Sequence, residues 1–215
     1  MSWLENLRAT NWGEMSLSAC CAYMLGCFTT GYYLVRAVKG TDIRAVASGS
    51  VGARNVCRVL GRTGFVLTTL GDMLKGVLAV WAVRHFFQDE RLAVAALLAV
   101  VVGHIWPVQL RFRGGKGVAT SIGALMIYDW RLIMVYVAVF ACGVLIARRT
   151  ILPGLFAFVC LPAAGFWLHP DGFQLAVLTI LAGMIVFAHR TNLVEEIPAL
   201  AARRGTTPKS ERSEP

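Results

Sequence analysis

Apolar runs separated by short polar connections dominate the chain. They fall at about 15–38, 66–87, 92–110, 118–128, 132–147, 151–168 and 173–188. A helix that spans a bilayer needs about 20 apolar residues, with about 17–25 tolerated. Five of the runs meet or approach that length. The run at 118–128 is short, at ~16 Å of helix, and reads either as a compressed span or as a half-helix dipping into the bundle. Asp129, Trp130 and Arg131 follow it as a tight interfacial turn. The pattern predicts an all-α integral membrane protein, a bundle of about seven transmembrane helices, or six if the short run does not cross.

Composition agrees. Hydrophobic residues make up 57% of the 215 residues and charged residues 15%, against about 45–50% and about 25% in soluble domains. Mean hydropathy is +0.62. So few charges could not cover a soluble surface, which excludes a soluble enzyme and a disordered chain. The formal charge of +9 could suggest nucleic acid, but its placement suggests a membrane instead. With seven crossings, sixteen Lys and Arg fall on the side that carries the C-terminal tail and four on the other, with Lys75 inside a span. By the positive-inside rule the N-terminus lies outside and the tail in the cytoplasm. The polar N-terminus, with its two acids, lacks the cationic start of a signal peptide, so the first run is expected to be a retained span. Residues 1–192 form one transmembrane domain. Residues 193–215 form a cytoplasmic tail, disordered from about Arg203. The six cysteines show no C-x-x-C pair and no zinc spacing, so neither a disulfide framework nor a metal or cofactor is expected.

The tail-side loops carry the candidate chemistry. The first, ASGSVGARNVCRVLGRTG, holds Ser48, Gly49, Ser50, Gly52, Arg54, Asn55 and Arg58. Glycines let successive N–H groups converge on one anion, and Arg adds charge and paired donors. The second, GHIWPVQLRFRGGKGVAT, places Lys116 after Gly114 and Gly115 and before Gly117, at the start of a helix. A helix N-terminus is itself an anion site. The last, AHRTN, brings His189, Arg190 and Asn192 to a similar depth. Each has a plainer reading: a Gly–Arg loop meets lipid headgroups, GGKG is not a nucleotide-binding loop because Gly117 stands where Ser or Thr is needed, and a lone His at an interface is common. Three together point to a ligand with more than one phosphate. Within the second span Asp72 and Lys75 share a helix face, either as a polar floor under that site or as a structural ion pair. His104 reads as a packed polar residue bonded to a neighbouring helix.

These segments resemble the PlsY family, bacterial integral-membrane glycerol-3-phosphate acyltransferases that use acyl-phosphate donors. SGSVGARNVCR at 48–58, GGKGVAT at 114–120 with GHIWPV ahead of it, and HRTN at 189–192 are similar to the family's three motifs. DMLKG at 72–76 is similar to its second-span sequence. The family commonly has Asn and Thr where this chain has Ser50 and Arg54. It continues past the third motif to a Gly-x-Glu that is not seen here.

The resemblance implies acyl transfer from acyl-phosphate to the sn-1 hydroxyl of glycerol 3-phosphate, giving lysophosphatidic acid and phosphate. It also implies a bacterial inner membrane and a cytoplasmic site. On that footing the N–H groups of residues 49–52, with Ser48, would cradle the donor phosphate. Arg58 and Lys116 would hold the acceptor's phosphate or neutralise the leaving group. Asn192 would orient the acceptor, and Asn55 would position substrate or brace its loop. Gly114, Gly115 and Gly117 would form the second phosphate loop. His189 is the side chain of the right type for a general base, and the acceptor's own phosphate is the other option. The rival class is a transporter of a phosphorylated anion, which usually shows internal repeats. None is evident. Membrane lipid is the expected partner, and nucleic acid is not.

Overall fold

The structure, a computed structural model, describes residues 11–194. Among these residues it is all helical. Eight α-helices run α1 Trp12–Cys27, α2 Thr30–Lys39, α3 Ala53–Phe87, α4 Glu90–Ile105, α5 Val118–Tyr128, α6 Trp130–Ala147, α7 Ile151–Leu168 and α8 Gly172–Ala188. Two 3₁₀ turns, Ile43–Ala45 and Val108–Leu110, sit in the longer loops. Four helical stretches, Ala53–Phe87, Glu90–Leu110, Trp130–Ala147 and Ile151–Leu168, are long and apolar enough to cross a membrane, while α5 and α8 are shorter apolar helices. The expected disordered end lies outside the described residues.

Short connections make successive helices antiparallel. Helices α1, α4, α6 and α8 start at one end of the bundle, and α3, α5 and α7 start at the other. At the first end every helix is capped by an Asx side chain. Asn11 accepts from Gly13 and Glu14, Asp89 from Arg91 and Leu92, Asp129 from Arg131, and Asp171 from Phe173 and Gln174. Asp129 alone joins α5 to α6.

Two expectations about the elements change. The first apolar run is two helices, because Phe28 and Thr29 are extended. Side chains of α3 take over the interrupted backbone bonding. Lys75 Nζ donates to Gly26 O at 2.8 Å and Phe28 O at 2.7 Å, and Asp72 Oδ1 accepts from Thr30 N at 3.3 Å. A cation thus seals the C-terminal end of α1 and an anion the N-terminal end of α2, matching the helix dipoles. The second correction concerns the first motif. From Ala53 onward it is helix, not loop, and α3 breaks only at Gly61, whose φ of 67° and ψ of −162° fit glycine and few other residues.

Small residues set the helix spacing. A methyl added at Gly76 would strike the Thr120 carbonyl, and one at Gly123 the Met73 carbonyl, so α3 and α5 pack backbone to backbone. Helix α4 lies at the centre of the core, with Leu97, Val100 and Val101 at 0% exposure.

Candidate active site

A cavity of about 510 Å³ opens at the end where α3, α5 and α7 begin. It is lined by parts of α3, α5, α6 and α7 and by the residues that follow α8. The starts of α3, at Gly52, and α5, at Gly117, both face it, and neither has a side-chain cap. Gly117 takes φ of 81°, and a Cβ there would press on Ile185 and Val101. The N-cap of α7, Thr150, also lines the cavity and makes no capping bond through its side chain. Uncapped N-termini carry partial positive charge and donors without intrahelical partners, the ingredients of an anion site.

The two motif loops are tied together by Arg44. Its guanidinium grips Asp42, with Nη2 to Oδ2 at 2.6 Å, and its Nη1 donates to Leu110 O at 2.7 Å. Hydrogen bonding from Arg44 holds the Asp42 carboxyl below its ordinary range. Asn55 is 2% exposed. Its Nδ2 donates to Val46 O and Ser50 O, both at 2.9 Å, and its Oδ1 accepts from Ser48 N at 3.3 Å. It braces the loop from inside.

This bracing alters the expected cradle. Gly49 N donates to Val46 O, and Gly52 N to Ser50 Oγ. With Ser48 N on Asn55, three N–H groups of the loop are therefore spent within it. Ser48, Ser50 and Gly52 line the cavity, whereas Gly49, with φ of 67°, serves the turn behind it. Gly114 and Gly115 depart from expectation in the same way. Their N–H groups bond Ile105 O and His104 O, and a Cβ on Gly115 would collide with the His104 ring. They seat the loop on α4, and Lys116 and Gly117 face the cavity.

Lys116, Arg58, His189 and Asn192 converge on that cavity. Lys116 Nζ donates to Asn192 Oδ1, joining the second motif to the third. Arg58 has no carboxylate partner among the described residues. His189 Nδ1 lies 2.8 Å from Ile185 O. A carbonyl oxygen only accepts, so Nδ1 carries the proton and Nε2 keeps its lone pair. Burial pushes the His189 imidazole below its ordinary value. The charges of Lys116 and Arg54 add to that, against the Ile185 hydrogen bond. The ring is therefore neutral at neutral pH, with the Nε2 lone pair able to accept a proton.

Beneath these residues Asp72 and His104 form a polar floor, both 3% exposed. Lys75 Nζ donates to His104 Nδ1 at 2.8 Å and pairs with Asp72 Oδ1 at 3.3 Å. The pair is therefore both a helix seal and the bottom of the site. Alongside this floor the wall is apolar, with Phe65, Met73, Ile122, Phe140 and Leu155.

Arg54 and Thr150 line the cavity but had no role in the expected site. Arg54 Nη2 donates to Thr150 Oγ1 at 2.5 Å, linking α3 to α7 across the rim. Arg54 stands four residues before Arg58, a spacing that signals a shared face once 53–60 is read as helix. Thr150 carries no such local signal.

An all-helical bundle with a cationic, glycine-framed cavity beside an apolar wall is the architecture of an integral-membrane acyltransferase. The comparisons agree. The family model described as glycerol-3-phosphate acyltransferase matches residues 16–197. Glycerol-3-phosphate acyltransferase 1 of Desulfitobacterium hafniense is 41% identical over 183 residues, covering 85% of this chain and 91% of that protein. Glycerol-3-phosphate acyltransferase of Clostridioides difficile is 38% identical over 177 residues, 80% of this chain and 86% of its own. The crystal structure of PlsY (YgiH), an integral membrane glycerol 3-phosphate acyltransferase, in its glycerol 3-phosphate form superposes with a TM-score of 0.78 at 31% identity, covering 86% of this chain and 92% of that one. Its lysophosphatidic acid form gives 0.74 at 29%. The chain belongs to the glycerol-3-phosphate acyltransferase family.

Proposed function

We propose that this protein transfers a fatty acyl group from acyl-phosphate to the sn-1 hydroxyl of glycerol 3-phosphate, releasing lysophosphatidic acid and inorganic phosphate. The observation that carries this reading is the cavity's two halves: a cationic rim of uncapped helix starts with Arg58 and Lys116, and an apolar wall beside it. An acyl-phosphate has the same two halves. Family membership supports the acceptor.

The chemistry needs no covalent enzyme intermediate. The donor is a mixed anhydride, so the acceptor oxygen can attack the acyl carbonyl carbon directly. The new ester C–O bond forms as the bond between acyl carbon and phosphate oxygen breaks, and phosphate departs with that electron pair. The hydroxyl proton passes to His189 Nε2. The helix starts and the two cations stabilise the negative charge that develops on the carbonyl and leaving oxygens. Binding both substrates in line supplies the remaining advantage. Asn192, held by Lys116, orients the acceptor.

In the membrane α1 and α2 together make one broken crossing, and α3 to α8 make six more, which gives seven. The charge asymmetry supports a site on the cytoplasmic side and an N-terminus outside, and the resemblance supports a bacterial inner membrane.

The test uses purified protein in detergent or lipid, with acyl-phosphate and labelled glycerol 3-phosphate. Lysophosphatidic acid should form with the unmutated protein. It should fall by about 10²–10³-fold with Lys116→Ala, the scale of losing one charge-stabilising donor. No product from folded, unmutated protein would overturn the reading and make anion transport the next assay.

A further inference from the structure

Arg54 and Arg58 lie one turn apart on the first segment of α3, and both line the cavity. Neither has a carboxylate partner among the described residues, but their positions differ. Arg58 is close to the polar rim with Lys116. Arg54 reaches across to α7, where Nη2 meets Thr150 Oγ1 at 2.5 Å. That bridge sits where the cavity changes character, because Ile151 and Leu155 of α7 and Phe65 of α3 lead from it into the apolar wall. A molecule whose phosphate is bonded directly to a long acyl chain must place its charge at this boundary. A molecule with a short polar body need not.

Thr150 is a weak partner for a guanidinium. A neutral hydroxyl engages one of its five donors, where a phosphate would engage two with charge assistance. We propose that Arg54 is the contact for the donor's phosphate, held by Thr150 until an acyl chain enters between α3 and α7. Arg58 and Lys116 remain the cations that stabilise the charge developing in transfer. This rests on the acyl-phosphate reading above.

Binding separates the two claims. Titration calorimetry in detergent would use an alkylphosphonate, a phosphate-like dianion on a saturated chain, and separately glycerol 3-phosphate. Arg54→Thr should weaken alkylphosphonate binding about tenfold and leave glycerol 3-phosphate within twofold. Arg54→Lys should fall between, and Thr150→Val should bind the alkylphosphonate at least as well as the unmutated protein, since the competing hydroxyl is gone. A loss directed at glycerol 3-phosphate, or no change for either ligand, would overturn the assignment. So would a lowered melting temperature with equal losses for both ligands, which would make the bridge a structural brace. Failure of the unmutated protein to transfer acyl groups would count against the acyl-phosphate reading alone, because the calorimetry reads the phosphate contact without turnover.

Discussion

The two ends of the bundle treat the same physical problem in opposite ways. Every helix start leaves N–H groups without intrahelical partners. At one end Asn11, Asp89, Asp129 and Asp171 satisfy them. At the other, α3, α5 and α7 begin at Gly52, Gly117 and Thr150 with no side-chain cap, and all three positions line one cavity. The cations follow the same division. Arg84 pairs with Glu90 and Arg131 with Asp129 at the capped end, where a polar cleft of about 700 Å³ is lined by these mutually neutralised groups. Arg54 and Arg58 face the other cavity without carboxylate partners of their own, because the acids near it are already engaged, Asp42 by Arg44 and Asp72 by Lys75. The capped end is internally complete. The uncapped end leaves three helix starts and two arginines facing one cavity.

The comparison can be sharpened first at His189, the group at the uncapped end that would move a proton. Replacing it with Gln should cut turnover by about 10²–10⁴-fold, the range for a general base. In the unmutated protein kcat/KM should fall with acid as His189 becomes protonated. Its depressed pKa places that limb below the ordinary histidine value of 6.5. The residual rate of His189→Gln should lack the limb. A limb that persists would assign the proton to the acceptor's own phosphate.

The next test falls between the two ends, where α3 side chains seal the break between α1 and α2. Lys75→Ala strands the buried Asp72 carboxylate and should cost about 3–5 kcal/mol of stability, read by thermal unfolding in detergent. Lys75→Met with Asp72→Asn should recover the part due to stranded charge. Equal losses in both variants would mean that sealing the carbonyls of Gly26 and Phe28 is the whole contribution. The smallest effect belongs to the capped end. Asp89→Ala should cost about 1 kcal/mol and leave kcat/KM within twofold.

Much of this was legible before any coordinates. Apolar run length located α3 through α8 to within a few residues, apart from the start of α3 and the end of α4, because lipid imposes one pattern on every span. Charge placement picked out the end at which the motif residues gather round one cavity. Features settled by distant partners were not legible. Nothing local marks the extended pair Phe28 and Thr29, since Lys75 and Asp72, more than forty residues away, stabilise the break. Gly49, Gly114 and Gly115 look like phosphate-binding glycines in the motif. Their N–H groups are spent on Val46, Ile105 and His104 because those loops must first be fastened to the bundle. Lys116 and His189, singled out by residue type within their motifs, both line the cavity. Arg54 was visible as an unusual residue, but its bridge to Thr150 spans ninety-six positions and has no signature in the chain.

On this reading the uncapped end is an anion site and not merely a poorly finished one. Gly52→Asp tests it most directly. Gly52 has φ of −73°, and a Cβ there would meet only Ser50 Oγ at ordinary contact distance, so an aspartate fits and can cap α3 as Asp89 caps α4. Calorimetry with the alkylphosphonate, alongside thermal unfolding, gives the answer. The account predicts a melting temperature that holds or rises and binding that weakens at least about tenfold, because the carboxylate occupies the phosphate's place. Binding unchanged in a protein whose helix has gained a cap would contradict it.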